Sequence, residues 1–218
     1  MNYNPPHYLQ DLCAELAKQW AANRTVNIVC HGHSVPSGYF ATPYVNTFDS
    51  YPHLLHRDVK EKFPFAVVNV VVTAIGGENS SSGLARFEDD VLTHKPDLVT
   101  IDYGLNDTFM GCDSSRRNLS AMIEKCIERN IKVILLTPSL DQSFLVKDER
   151  WRQLNEMADM IRALSVATST ALADSFAVML AFLANGGELA QILSHVNHPN
   201  ALGHRLIAAE LGKWFLAR

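Results

Sequence analysis

Apolar residues fall into two alternating rhythms along the chain. Leu9, Leu12, Cys13, Leu16 and Trp20 recur three or four apart, which predicts an amphipathic helix over residues 7–21. Val26-Asn27-Ile28-Val29-Cys30 lacks that spacing and predicts a short buried strand. A helix is expected from about Ser50 to Lys62, then a second strand in the β-branched run from Phe65 to Val72. The Gly/Ser turn Thr73–Gly83 leads into a helix ending near His94, where Lys95-Pro96-Asp97 breaks it. Leu98–Tyr103 forms a third strand. Ser114 or Ser115 is expected to cap the helix that runs on to Arg129-Asn130. Ile131–Leu136 is the fourth strand, followed by a charged helix from about Lys147 to Val166 and a weak fifth strand at Thr170–Ala173. Asp174 or Ser175 caps a helix toward Leu183, and a last helix covers about Asn200 to Leu216.

Strands alternate with helices throughout, with no repeat, composition shift or linker. The pattern predicts one domain over residues 1–218, a three-layer α/β/α sandwich on an about five-stranded, mostly parallel sheet. In such sheets ligands bind outside the carboxyl ends of the strands. The turns carrying Ser34, Gly77 and Asn106 all leave strand ends, so they are expected to meet on one rim.

Composition narrows the function classes. With 218 residues, 47% hydrophobic and 19% charged, the chain can bury a core without disulfides or metal. A formal charge of −4 gives no basic footprint, so no nucleic-acid partner is expected. Cys13, Cys30, Cys112 and Cys126 are scattered and lack a CxxC pair, which fits reduced thiols. Met1–His7 lacks the form of a signal peptide, and no apolar run approaches the ~20 residues of a membrane span. A cytoplasmic protein with no membrane partner is expected; the pattern carries no signal of oligomeric state.

The rim holds the candidate chemistry. His31-Gly32-His33-Ser34-Val35-Pro36-Ser37-Gly38 puts a serine in the turn after the first strand. Ser194-His195-Val196-Asn197-His198-Pro199-Asn200 puts His198 on a loop stiffened by Pro199. A serine hydrolase needs a nucleophile, a base within hydrogen-bond reach and donors aimed at a developing oxyanion. Ser34 and His198 suit the first two roles, and Gly77 and Asn106 the third. Each also has a plainer reading: a helix cap, a turn glycine, an Asx turn, a surface histidine. His31 with His33, and His195 with His198, leave a histidine-based metal-dependent hydrolase as an alternative, although no HExxH helix accompanies them. Tyr39, Phe40, Tyr44 and Phe109 lie in loops near the rim and could stack on a sugar, line an acyl pocket or simply pack.

Taken together, the blocks resemble the SGNH (GDSL-like) hydrolase superfamily along most of the chain. His31-Gly32-His33-Ser34 stands where the family has Gly-Asp-Ser, and Ile75-Gly76-Gly77-Glu78-Asn79-Ser80 looks like its second block. Gly104-Leu105-Asn106-Asp107 looks like the third, and His198-Pro199-Asn200 with Gly203-His204 like the last. With no long apolar lid in the sequence, a small-molecule, soluble ester such as an O-acetylated carbohydrate is expected rather than bulk lipid. The resemblance implies a flavodoxin-like sandwich and a serine esterase or acylhydrolase. It further implies Ser34 as nucleophile, His198 as base, and Ser34, Gly77 and Asn106 as oxyanion donors, with no cofactor and no metal. Two positions depart from the pattern. His33 replaces the usual Asp before the serine, and His195 occupies the position of the Asp that orients the catalytic histidine. A backbone carbonyl, a carboxylate from elsewhere (Asp102 and Asp174 are the nearest by topology), or a weakened enzyme are the outcomes left open. A non-catalytic ligand-binding module that kept the rim is the further alternative.

Overall fold

The aliphatic runs become five strands: β1 (Thr25–Gly32), β2 (Val67–Val72), β3 (Leu98–Asp102), β4 (Lys132–Leu136) and β5 (Ala171–Ala173). The structure, a computed structural model, describes residues 7–216. The signal-peptide reading of Met1–His7 rests mostly on residues outside that range. All strand pairs are parallel, in the order β2-β1-β3-β4-β5. The sheet is thus wholly rather than mostly parallel.

Side chains alternate between the faces of the sheet. Leu98, Ile134 and Leu136 pack into one apolar cluster, whereas Val99, Ile101, Val133 and Leu135 pack into the other. Burying each such side chain contributes about 1.5–3 kcal/mol. The first cluster is covered by α1 (Gln10–Leu16), α3 (Tyr51–Lys62), α10 (Ser175–Ala184) and α11 (Ala201–Leu216). The second is covered by α5 (Phe87–Asp90), α7 (Cys112–Ile127) and α9 (Glu149–Thr168). Short helices α2 (Ser34–Ser37), α4 (Ser80–Ala85), α6 (Gly104–Asp107) and α8 (Ser143–Val146) complete the connections.

Three expectations change. The first helix ends at Leu16, because residues 17–24 turn the chain back into β1, and Trp20 is left 90% exposed. The helix expected to reach His94 breaks at Arg86 into α4 and α5, and Arg86 turns its guanidinium inward onto Glu78 and the Thr73 carbonyl. Neither Ser114 nor Ser115 caps α7, whose N-cap is Gly111; Ser115 is buried in the first turn and donates to the Asp107 carboxylate.

The strand order fixes where a ligand can sit. The chain leaves β1 for β2 on one side, then crosses to β3 on the other, so the connections part between β1 and β3. At such a switch point the loops leave a crevice at the carboxyl ends of the strands. Ser34 follows β1 and Asn106 follows β3 directly onto that crevice.

Candidate active site

Local geometry presents Ser34 as a free hydroxyl. β1 and β3 approach so closely at their ends that a Cβ on Gly32 would stand 2.4 Å from the Asp102 carbonyl oxygen, which requires glycine there. His33 caps α2, its Nδ1 accepting from the Val35 N–H at 3.3 Å. The imidazole therefore does the capping that a serine would otherwise do, and Ser34 Oγ is left for another partner. Gly38 ends the helix at φ +86°, a left-handed turn that suits glycine.

That partner is His198, whose Nε2 lies 3.1 Å from Ser34 Oγ although 164 residues separate them in sequence. The loop holding His198 is braced from both sides. Ser194 N–H and Oγ both donate to the His198 carbonyl, and the Asn200 side-chain amide donates to the carbonyls of Gln191 and Leu193. Asn200 Oδ1 then accepts from Leu202 and Gly203, capping α11.

The other ring nitrogen settles the tautomer. His198 Nδ1 lies 3.1 Å from the Phe40 carbonyl oxygen, which can only accept. Nδ1 therefore carries the hydrogen, and the lone pair of Nε2 faces the serine hydroxyl. Phe40 is itself pinned by a small antiparallel loop, its N–H donating to the Tyr44 carbonyl beside the Tyr39–Val45 bridge. Burial pushes the pKa of His198 down, the neighbouring His33 and His195 push the same way, and the Phe40 carbonyl opposes them. The ring is thus kept neutral at pH 7, the state a base requires.

Unpaired donors lie in the turns that follow β1, β2 and β3. The backbone N–H groups of Ser34 and Gly77 make no hydrogen bond among the described residues. Gly77 sits at φ +83° with open space where a Cβ would be. Asn106 Nδ2 gives one hydrogen to the Glu78 carbonyl at 2.7 Å and has its second free among the described residues. The Gly77 and Asn106 turns are locked together by Asp107, whose buried carboxylate accepts from the Ser80 N–H at 2.8 Å and from Ser115 Oγ. Arg86 holds the same turn from behind through the Glu78 carboxylate.

The structure thus brings Ser34 and His198 together and sets Gly77 and Asn106 on the same rim. It does not bring His195 to them. His195 is exposed, makes no hydrogen bond among the described residues, and lines a separate cavity of about 670 Å³ with Gln142, Leu183 and Glu188. Asp174 is equally remote in function: it caps α10 and is paired with Arg162 at 2.7 Å. Asp102 lies behind His33 rather than His198. The histidine pairs do not converge either. Both nitrogens of His31 are engaged, with Thr73 and with Tyr103 and Gly83, and burial lowers its pKa to about 4. Among the described residues, no cluster that could hold a metal ion occurs and no helix is long and apolar enough to cross a membrane.

Around this centre, the Tyr39 ring stands 5.9 Å from that of His198. A cleft of about 480 Å³, lined by Phe109, Gln142, Arg150, Val196 and Asn197, adjoins the His198 loop. Phe109 is 82% exposed, with the Arg150 guanidinium 4.7 Å from its ring centre. The sequence left a backbone carbonyl open as the partner of His198 but could not name Phe40, because the contact comes from its main chain and residue type carries no signal for it.

Comparison with known proteins agrees with this architecture. The GDSL-like lipase/acylhydrolase family matches residues 30–206. Esterase TesA of Pseudomonas aeruginosa is 29% identical over 136 residues, covering 61% of this chain and 63% of that protein, so the chain spans less than two thirds of the relative's length. Among solved structures, the acetylxylan esterase Axe2 of Geobacillus stearothermophilus is similar with a TM-score of 0.76 at 20% identity, over 87% of this chain and 94% of that one. LAE5, an alpha/beta hydrolase enzyme from the metagenome of Lake Arreo, Spain, matches with a TM-score of 0.76 at 20% identity, over 88% and 95%. The family match covers most of the chain, including all four blocks of the rim: this protein belongs to the GDSL-like lipase/acylhydrolase family.

Proposed function

We propose that this protein is a carboxylic ester hydrolase that works through an acyl-enzyme on Ser34, with His198 as its base. The observation that carries this reading is the 3.1 Å approach of His198 Nε2 to Ser34 Oγ, with Nδ1 held by a carbonyl. In the first half-reaction, Ser34 Oγ attacks the acyl carbonyl carbon as its proton passes to Nε2. The oxyanion that forms is met by the N–H groups of Ser34 and Gly77 and by the free hydrogen of Asn106 Nδ2. The imidazolium returns the proton to the departing alcohol, and a water activated by the same ring then releases the acid. The Phe40 carbonyl dipole supports the imidazolium in place of a carboxylate, which it does less strongly than a full negative charge.

The substrate favoured is a small soluble ester, with an O-acetylated carbohydrate the leading class. The open cleft beside His198 carries an exposed aromatic face at Phe109 and polar groups at Gln142, Arg150 and Asn197, a combination suited to a sugar ring. The acetylxylan esterase activity named for the Axe2 structure points the same way.

The test is a panel of p-nitrophenyl acetate, butyrate and octanoate with acetylated xylo-oligosaccharides, run alongside fluorophosphonate labelling. Acetyl esters should be preferred and the label should fall on Ser34. Absence of both turnover and labelling in folded protein would reject hydrolysis in favour of a ligand-binding module.

A further inference from the structure

Ser34 Oγ has two imidazole neighbours. Besides His198 Nε2 at 3.1 Å, His33 Nδ1 lies 3.4 Å away. His33 is wholly buried, and its Nε2 has no hydrogen-bond partner of good geometry among the described residues. Asp102 Oδ1 lies 3.5 Å from it. Asp102 is itself buried at the end of β3, where Tyr51 Oη donates to its second oxygen at 3.3 Å.

Neighbours that can act in only one sense fix this ring, as they fix His198. The Val35 N–H can only donate, so Nδ1 of His33 must offer a lone pair. The carboxylate can only accept, so the hydrogen belongs on Nε2, which faces it. His198 therefore turns its Nε2 lone pair toward Ser34 Oγ, the single Nδ1 lone pair of His33 is shared between the Val35 N–H and that oxygen, and no group among the described residues donates to the oxygen. At 3.5 Å the pair is longer than a hydrogen bond, and a positive charge on the ring would draw imidazolium and carboxylate together.

Resting on the nucleophile assignment above, we propose that His33, backed by Asp102, is a second proton acceptor for Ser34. The carboxylate missing behind His198 is thus present behind the other imidazole. In this step the Ser34 O–H bond breaks and an N–H bond forms at His33 Nδ1, displacing the Val35 contact. The oxygen's electron pair forms the bond to the acyl carbon or to phosphorus, and the leaving group departs with its own pair. The charge of the resulting imidazolium is balanced by Asp102. Because His33 is buried beneath the serine, it takes a proton but has no path to hand it to a leaving alcohol. It therefore serves leaving groups that depart as stable anions, such as p-nitrophenolate or fluoride, and fails for alkyl esters.

The test uses the His198→Ala protein. General-base loss of about 10²–10⁴-fold is expected on an alkyl acetate, with a smaller loss in fluorophosphonate labelling and in the p-nitrophenol burst from p-nitrophenyl acetate. Adding His33→Asn, which preserves a side-chain cap for Val35, or Asp102→Asn, which is isosteric, should slow the residual labelling by about tenfold or more. Each rate is taken per folded molecule, with melting temperature measured in parallel. Labelling as fast in either double variant as in His198→Ala, or equal losses on the alkyl and p-nitrophenyl esters in His198→Ala, overturns the proposal. Absence of any Ser34 label in the wild-type protein would instead reject the nucleophile assignment, so the two failures are distinguishable.

Discussion

The Phe40 carbonyl oxygen stands 3.1 Å from Nδ1 of His198, on the ring nitrogen that an orienting carboxylate would face. His195, three residues before His198 where the family's acid is expected, takes no part in that contact. His195→Ala should therefore keep kcat/KM on p-nitrophenyl acetate within about threefold, a change of well under 1 kcal/mol in the barrier. A loss of a hundredfold would show that His195 orients the base after all.

The pH dependence has a definite sign. Burial and the neighbouring imidazoles lower the pKa of His198 below its ordinary value of 6.5. A base is lost as pH falls through its own pKa, so the acid limb of kcat/KM should lie below pH 6.5 rather than at or above it. His195→Ala removes one of the lowering charges and should move that limb upward. A pH–rate profile of both proteins checks the position and the direction.

Asn106→Ala deletes a side-chain donor without touching the Ser34–His198 pair. A drop of about 10²–10³ in kcat is expected, with KM changed far less. Steady-state kinetics on an acetyl ester would show the split, and a rise in KM at unchanged kcat would assign Asn106 to substrate binding instead.

Asp107→Ala should act on both stability and rate. It strands the Ser80 N–H and the Ser115 hydroxyl, both buried, at a cost of about 1–3 kcal/mol. In a chain of this size each kcal/mol lowers the melting temperature by about 2–4 °C. Because the same carboxylate ties the Gly77 turn to the Asn106 turn, kcat should fall as well. Calorimetry and kinetics on one preparation test the pair of effects.

Much of the fold was legible because the strands are aliphatic runs too short and too β-branched for helices, separated by turns rich in Gly, Ser and Asn. Ser34, Gly77 and Asn106 could be placed on one rim from the alternation of strands and helices alone, since a parallel sheet sends every such turn to the same side. What the sequence hid depends on long-range geometry. Trp20 had helical spacing, but the chain turns before the helix reaches it. Ser115 looked like a cap and instead serves a buried carboxylate eight positions earlier. The Phe40 carbonyl is invisible to residue type, and Asp102 behind His33 depends on how closely β1 and β3 approach at Gly32.

If Ser34 is the nucleophile, its removal must be felt in the rate of p-nitrophenyl acetate hydrolysis by Ser34→Ala against the wild-type protein. A loss on the order of 10⁴–10⁶-fold in kcat, in a protein with an unchanged melting temperature, is expected. Hydrolysis by Ser34→Ala at the wild-type rate would contradict the claim.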